Sequence, residues 1–201
     1  MIKMGLTGSI ASGKTTASKI IASRRGPLFS ADKVVKELYN RDSFKRLIAK
    51  KLKFQNNLKF KNEIRNKILQ KRQNLKKLEK IIHPLVRKEM FAFLKKNKNK
   101  KYLFFEIPLL IESKLTKYFD IIIFVKANKD IRLKRYKLKG GNTKLFSLLD
   151  KHQLKDTKKM KFCDHVVVNN KSLVILKKKL SNIINLYGWD FFRYWDYMII
   201  I

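Results

Sequence analysis

The feature that most constrains this chain is a glycine-framed segment near its start. Residues 8–15 read GSIASGKT, which matches the G-x-x-x-x-G-K-[ST] pattern of loops that bind nucleotide phosphates. The glycines let backbone N–H groups turn onto phosphate oxygens, Lys14 supplies a positive charge for the β- and γ-phosphates, and the Thr15 hydroxyl can complete a Mg²⁺ shell. The predicted phosphate-binding residues are Gly8, Ser9, Ile10, Ala11, Ser12, Gly13, Lys14, Thr15 and Thr16.

The residues on either side of this loop support the same interpretation. Residues 2–7 form a short strand-like run, and residues 15–23 have helical spacing. A phosphate loop requires this order of strand, loop and helix, and the helix then points the positive end of its dipole at the anion. The alternative is a Gly/Ser turn that merely joins two elements, and the strand–loop–helix order favours the phosphate loop.

The rest of the chain alternates strand-like and helical segments, which is typical of an α/β fold with a parallel sheet. Residues 121–125 are an unbroken apolar run of the kind that is covered on both faces of such a sheet. We therefore predict a three-layer, doubly wound parallel sheet of five strands, with the phosphate loop on the central strand. The predicted strands are residues 2–7, 27–30, 102–107, 120–125 and 166–169.

The sequence also divides into regions of different composition. Residues 41–99 contain helical repeats and no convincing strand, which predicts a helical insertion in which Pro84 ends one helix and allows another to begin. Residues 135–159 are basic and contain the Gly140-Gly141 pair, which favours a lid over ATP; the alternative is a solvated helical hairpin. The nucleotide-binding core then comprises residues 1–40, 100–134 and 160–186, and residues 187–201 form an aromatic tail without an assigned role.

Two carboxylates lie where predicted strands end. Asp32 follows the second strand at the start of a helix, and Glu106 lies near the end of the apolar strand at residues 102–107. In open α/β sheets this edge binds ligands, so Asp32 is a candidate catalytic residue, although stabilisation of the helix N-terminus explains its position equally well. Glu106 is typical of a carboxylate that assists Mg²⁺ binding through water, together with Thr15.

Composition restricts the partners and the compartment. The net charge is +34, but only ten of the 49 basic residues are Arg and the lysines are scattered, which favours a field that attracts polyanionic small molecules over a specific nucleic-acid surface. The single Cys163 allows no internal disulfide, and the longest apolar run is too short to span a membrane. We expect a cytoplasmic protein with no membrane partner.

The class of phosphate-loop protein follows from what else the sequence holds. A GTPase switch needs a D-x-x-G element, and none of the seven glycines has Asp three residues before it. A large ATPase motor needs more chain than 201 residues. A small-molecule kinase remains, with a phosphate loop, a helical acceptor-binding insertion and a basic lid. Spacing and composition leave the acceptor open.

Several further blocks occur in a fixed order along the chain. GLTGSIASGKTT at residues 5–16 is followed by ADK at residues 31–33. The later blocks are LEKIIHPLV at 78–86, IPLLIE at 107–112, Arg132 with Arg135, Gln153, and CDHVVVNN at 163–170. In this order, over residues 5–180, they resemble the dephospho-CoA kinase family. Each block is modest alone, and together they make the resemblance specific.

The resemblance implies transfer of the γ-phosphoryl group of ATP, with Mg²⁺, to the ribose 3′-hydroxyl of dephospho-CoA. The implied catalytic residues are Lys14, Asp32 and Arg135. Asp32 matches the general base for that hydroxyl, and Arg135 matches an arginine that stabilises the transferring phosphoryl group. Asn169 lies in the segment near adenine. The residues implied in acceptor binding are Asp32, His83, Pro84, Pro108 and Leu109, and those implied in the lid are Arg135 and Lys139.

The chain departs from the family pattern at four positions. Ser30 replaces an Asp, and Ser9 and Ala11 replace common loop glycines. Lys139 stands where a second lid arginine is expected, and Lys cannot reproduce the bidentate fork of Arg. These differences bear on catalytic efficiency more than on reaction type. The remaining alternatives are a kinase for a nucleoside or nucleotide and, more remotely, a basic nucleic-acid-binding phosphate-loop protein.

Overall fold

The computed structural model describes residues 1–54 and 59–187 of the chain, so residues 188–201 of the predicted tail lie outside the described part. The strands there are β1 (Ile2–Gly8), β2 (Leu28–Ser30), β3 (Tyr102–Glu106), β4 (Ile121–Lys126) and β5 (His165–Val168). All pair in parallel, in the order β2-β3-β1-β4-β5. This arrangement confirms the predicted five-stranded parallel sheet, with the phosphate loop on its central strand.

Helices connect the strands and cover the sheet. In the described part they are α1 (Lys14–Ala22), α2 (Ala31–Leu38), α3 (Asp42–Leu52), α4 (Phe60–Gln70), α5 (Gln73–Lys96), α6 (Lys129–Leu138), α7 (Thr143–His152), α8 (Asp156–Met160) and α9 (Leu173–Asn185). Ser172 is the N-cap of α9, where its hydroxyl accepts a hydrogen bond from the Ile175 N–H. Helices α3, α4 and α5 occupy the stretch where the sequence predicts a helical insertion.

Alternate side chains of the central strands supply the two halves of the core. On β3, Tyr102 and Phe104 belong to one layer and Leu103 and Phe105 to the other, as expected for a strand with a two-residue repeat. The first layer is covered by α1 and α9, and the second by α5 and residues 107–119. Both faces of the sheet are therefore buried, and the phosphate loop projects from the carboxyl edge of β1.

A third apolar cluster joins the helical insertion to the predicted lid. Leu145 of α7 is buried with Ile48 of α3 and Ile64 of α4. Phe146 is 1% exposed, and its ring centroid lies 5.5 Å from that of Tyr136 in α6. Two apolar side chains of the segment are therefore packed against neighbouring helices, while residues 137–140 are exposed. Its role as a lid stays a prediction.

The helix boundary predicted at Pro84 is wrong. Helix α5 continues through Pro84, although proline removes one backbone hydrogen bond from a helix. Leu78 before the proline and Met90 after it are both buried, so packing on either side offsets the lost bond. Within the predicted lid, α7 ends where Gln153 adopts an extended conformation, and α8 begins after it.

Candidate active site

Two glycines give the loop after β1 its shape. Gly8 and Gly13 have positive φ angles of 150° and 95°. A Cβ on Gly8 would lie 2.3 Å from the Val125 carbonyl oxygen, and one on Gly13 would lie 2.2 Å from Nδ2 of Asn169. No side chain fits at either position, so the backbone requires both glycines of the motif. Gly13 also directly precedes α1 and leaves the N-terminus of that helix open to an anion.

Ala11, one of the departures from the family pattern, is conformationally strained. Its φ is 58°, in the left-handed region that glycine adopts without penalty. A β-carbon in this region costs about 1 kcal/mol, because it approaches the following carbonyl oxygen. The loop therefore keeps its turn at this position in spite of the substitution.

Lys14 lies in the first turn of α1 with 7% of its surface exposed. Its Nζ donates a hydrogen bond across the loop to the Ser9 carbonyl oxygen at 2.8 Å. Burial lowers the pKa of Lys14 to about 8, and the Asp32 carboxylate acts in the opposite direction. Because a phosphate would give this buried ammonium a strong anionic partner, the geometry suits binding of a polyanion.

Glu106 connects the phosphate loop to the end of β2. Its carboxylate is 1% exposed and accepts hydrogen bonds from the Thr15 hydroxyl at 2.5 Å and from the Ser30 hydroxyl at 2.9 Å. Ser30 also caps α2, because its Oγ accepts from the Lys33 N–H at 3.4 Å. Sequence reasoning noted Ser30 only as a departure and missed this role, although serine at a strand-to-helix junction is a common capping signal.

Asp32 occupies the first turn of α2, and its side chain opens to solvent at the carboxyl edge of the sheet. Partial desolvation by the surrounding protein raises the pKa of the Asp32 carboxyl. The Lys14 ammonium lowers this pKa, and the Glu106 carboxylate raises it. Ser30 supplies the side-chain cap of the helix, and Asp32 adds a favourable negative charge in its first turn, so the catalytic role of Asp32 stays a prediction. Asp32 follows the end of β2, where Ser30 is hydrogen-bonded to Glu106, so it lies at the same edge of the sheet as Glu106 and the phosphate loop.

Arg135 and Asn169 border the loop on the side of α6 and β5. Asn169 is 7% exposed, and its Nδ2 donates to the Ser12 carbonyl oxygen at 2.9 Å. Arg135 donates from Nη1 to the same oxygen at 3.3 Å and from Nη2 to the Asn169 carbonyl oxygen at 3.0 Å. Lys139 is exposed at the end of α6, and no hydrogen bond or ion pair seen within residues 1–54 and 59–187 joins it to the loop.

The residues implied in acceptor binding come from two places. His83 is half-buried on α5 and burial lowers its pKa, while Pro84 beside it is exposed. Pro108 and Leu109 are half-buried just after β3, and the Pro108 carbonyl oxygen accepts a hydrogen bond from the Thr7 hydroxyl at 3.0 Å. That bond fixes the segment after β3 beside the strand that leads into the loop, while the role of all four residues in acceptor binding stays a prediction.

Three further residues, Arg132, Gln153 and Asp156, form hydrogen bonds with the loop. None of them was assigned a role in the site from the sequence. Arg132 is 6% exposed and donates to the Ile10 carbonyl oxygen at 3.4 Å. The Ile10 N–H donates to Oε1 of Gln153 at 3.0 Å, and the Ser9 hydroxyl donates to the Asp156 carboxylate. Arg132 and Gln153 occur in the blocks that carry the family resemblance, which was the available signal.

Fold and site together define a class of protein. A glycine-framed loop at the end of the central parallel strand precedes a helix whose first residue is a buried lysine. A buried carboxylate on the neighbouring strand contacts the loop threonine, and helices occupy the connection before β3. These features are those of a phosphate-loop kinase.

Comparison with known proteins identifies the family. The family model described as CoaE: Dephospho-CoA kinase matches residues 2–174. The chain belongs to the dephospho-CoA kinase family.

Individual relatives agree with this assignment. A dephospho-CoA kinase of Zymomonas mobilis is 35% identical over 91% of this chain and 95% of its own length. One of Rickettsia bellii is 32% identical over 92% of this chain and 96% of its own length. A solved dephospho-CoA kinase from Campylobacter jejuni, at 22% identity, shares the fold with a TM-score of 0.62 over 92% of this chain and 96% of that chain. Among the helices of residues 1–54 and 59–187, none is both long and apolar enough to cross a membrane.

Proposed function

We propose that this chain phosphorylates the ribose 3′-hydroxyl of dephospho-CoA with ATP and so produces coenzyme A. The observation that carries the proposal is the convergence of Lys14, Asp32 and Glu106 at the carboxyl edge of the sheet, where Glu106 is hydrogen-bonded both to Thr15 and to Ser30. A cation for the phosphates and a carboxylate for the acceptor hydroxyl are the groups that such a transfer needs. Membership of the dephospho-CoA kinase family supports this choice of acceptor.

The loop at residues 8–16 binds the phosphates of ATP through its backbone N–H groups and the N-terminus of α1. Lys14 exchanges the Ser9 carbonyl oxygen for oxygens of the β- and γ-phosphates. Asn169 marks the adenine side of the site, because it lies beside Ser12 at the opposite end of the loop from Ser9. Arg135, held beside it, stabilises negative charge on the phosphoryl groups.

Thr15 and Glu106 are suited to hold magnesium. A hydroxyl and a carboxylate 2.5 Å apart are hard oxygen donors of the kind that Mg²⁺ prefers. Thr15 would hold the ion with its hydroxyl, and Glu106 would hold it through water. When bound, the ion neutralises charge on the β- and γ-phosphates.

Asp32 serves as the general base that orients and deprotonates the 3′-hydroxyl. Partial burial raises its pKa, which makes it a better proton acceptor, and the nearby Lys14 ammonium favours the ionised form that a base must have. His83 and Pro84 on α5, with Pro108 and Leu109 after β3, form the acceptor side of the site. The Thr7–Pro108 hydrogen bond holds that segment next to the loop.

The reaction takes place in the cytoplasm. Cys163 is the single cysteine, as expected for a reducing compartment, and burial raises the pKa of its thiol to about 12. The scattered lysines create a positive field that attracts ATP and dephospho-CoA, both of which are polyanions.

A panel of acceptors tests the proposal. The protein is incubated with ATP, Mg²⁺ and either dephospho-CoA, adenosine or AMP, and the products are identified by mass spectrometry. We expect a phosphorylated product from dephospho-CoA, whereas turnover of adenosine or AMP without turnover of dephospho-CoA would contradict the assignment. DNA binding should be weak and lost between about 50 and 200 mM salt, because scattered lysines give only counterion-release binding.

A further inference from the structure

Lys159 of α8 has a completely buried side chain, with 0% of its surface exposed. An ammonium group carries three N–H donors and is rarely buried unless those donors have partners. Its acidic partner is Glu112, which lies within residues 107–119 after β3. Oε1 of Glu112 is 2.7 Å from the Lys159 Nζ. A buried lysine in a five-residue helix needs an explanation, since α8 alone has little apolar surface to bury.

The pairing of Lys159 with Glu112 leaves both groups incompletely satisfied. Lys159 Nζ and Glu112 Oε1 are at ion-pair distance, but their relative orientation does not make a hydrogen bond. Among the described residues, Nζ has no hydrogen-bond acceptor. Oε1 of Glu112 accepts instead from the Leu154 N–H at 3.1 Å, and Oε2 has no hydrogen-bond donor among those residues. Glu112 therefore balances the charge of Lys159 without using its donors.

Helix α8 lies at the end of the loop where the terminal phosphate belongs. Asp156, one turn before Lys159, accepts a hydrogen bond from the Ser9 hydroxyl, and the Ser9 carbonyl oxygen accepts from Lys14 Nζ at 2.8 Å. The lysine of this motif contacts the β- and γ-phosphates, so Ser9 marks their position. Lys159 is close enough to lower the pKa of Lys14 through charge repulsion.

We propose that Lys159 is a second phosphate-binding cation of this site, which donates hydrogen bonds to the γ-phosphoryl oxygens of bound ATP, with Glu112 as the carboxylate that positions it. The inference rests on the proposed ATP-dependent function. Two ammonium groups, Lys14 from the loop and Lys159 from α8, then contact the group that is transferred and stabilise its charge. Helix α8 contacts Ser9 of the loop through Asp156 and Glu112 through Lys159. These contacts hold Lys159 next to the phosphate loop.

The test separates a phosphate contact from a merely structural ion pair. Lys159→Met alone leaves Glu112 unpaired, so the main variant is the double replacement Lys159→Met with Glu112→Gln, which removes both charges. Lys158→Met is the control for removing a lysine from this helix, because Lys158 is an exposed neighbour of Lys159; the double replacement itself leaves the net charge unchanged. Thermal unfolding establishes that each variant is folded before affinities are compared.

The readout is the affinity for ATP and for ADP, measured by calorimetry without an acceptor. If Lys159 contacts the γ-phosphoryl group, the double variant should lose about 10-fold or more in ATP affinity and change little for ADP, since one charge-assisted contact is worth about that factor. Unchanged affinity for both nucleotides, or an equal loss for both, would overturn the inference. If the double variant does not fold, Lys159→Met and Lys159→Arg are compared in the same assay. Only the arginine variant should keep the preference for ATP over ADP. Loss of that preference in both variants, or its retention in both, would overturn the inference.

No acceptor is present in this experiment. Its outcome is therefore independent of whether dephospho-CoA is the substrate, and the two proposals fail separately.

Discussion

Replacing Lys14 with methionine should separate the stability of the phosphate loop from its function. Methionine is similar in length and uncharged, so it keeps apolar contacts while removing the buried ammonium. Burial lowers the pKa of Lys14 from 10.5 to about 8, which at about 1.4 kcal/mol per pKa unit disfavours the charged side chain by about 3 kcal/mol in the folded state. Loss of the hydrogen bond to Ser9 offsets about 2 kcal/mol of the gain. We expect Lys14→Met to be about 1 kcal/mol more stable than the wild type at pH 7, and not to bind ATP.

The pH dependence of this effect is a sharper test than its size. Below pH 8 the ammonium is charged in the folded and unfolded chains, so its burial destabilises the fold in full. As the pH rises from about 8 to 10.5, the folded protein has lost the proton and the unfolded chain has not, which relieves the destabilisation. Between pH 7 and pH 9 the wild type should therefore gain about 1 kcal/mol relative to Lys14→Met.

The assay is urea unfolding of both proteins without nucleotide, at pH 7 and at pH 9. Lys19→Met is the matched control, because Lys19 is an exposed lysine on the same helix. Its stability relative to the wild type should change much less with pH. An identical pH dependence for Lys14→Met and Lys19→Met would refute the reasoning, because it would mean that burial does not perturb Lys14.

Three further predictions follow from the loop and its surroundings. Ala11→Gly should raise the free energy of unfolding by about 1 kcal/mol in urea titrations, because it removes a β-carbon from a left-handed conformation; a decrease would show that Ala11 is unstrained. Phe146→Ala should cost about 4 kcal/mol by the same method, since its ring is buried between α6 and α7, and a loss below about 1 kcal/mol would contradict that packing. The pH profile of kcat/KM for ATP should fall above about pH 8 as free Lys14 loses its proton, and a flat profile from about pH 7 to 9 would contradict that assignment. On the acid side the profile should fall as Asp32 is protonated, at a pH above the ordinary range of an aspartate; an acid limb within or below that range would contradict the assignment of Asp32.

The parts of the fold and site that could be predicted are those encoded by neighbouring residues. The order of strand, loop and helix around Lys14 is local, and so is the apolar run of β4 that marks a buried parallel strand. Glu106 and Asp32 could be assigned to one site because the carboxyl ends of parallel strands meet at one edge of a sheet. In the observed register Ser30 lies opposite Glu106, so the ends of these two strands are adjacent, while the catalytic roles of Glu106 and Asp32 stay predictions.

The parts that could not be predicted depend on contacts between distant segments. The hydrogen bond between Ser30 and Glu106 and the pairing of Glu112 with Lys159 require the folded sheet and the docked α8. Local rules also failed at Pro84, where they end a helix, because the burial of α5 on both sides of the proline outweighs one missing hydrogen bond.

The central claim is that the phosphate loop and Asp32 form one two-substrate site in which Asp32 acts on the acceptor hydroxyl. Asp32→Asn tests it most directly, with Glu37→Gln as the control, because Glu37 is an exposed acid on the same helix. We predict that Asp32→Asn lowers kcat for phosphorylation of dephospho-CoA by at least about 100-fold, as expected for loss of a general base. Its affinity for ATP should stay equal or become tighter, because a negative charge near Lys14 is removed. An unchanged kcat, or an equal loss in Glu37→Gln, would contradict the account.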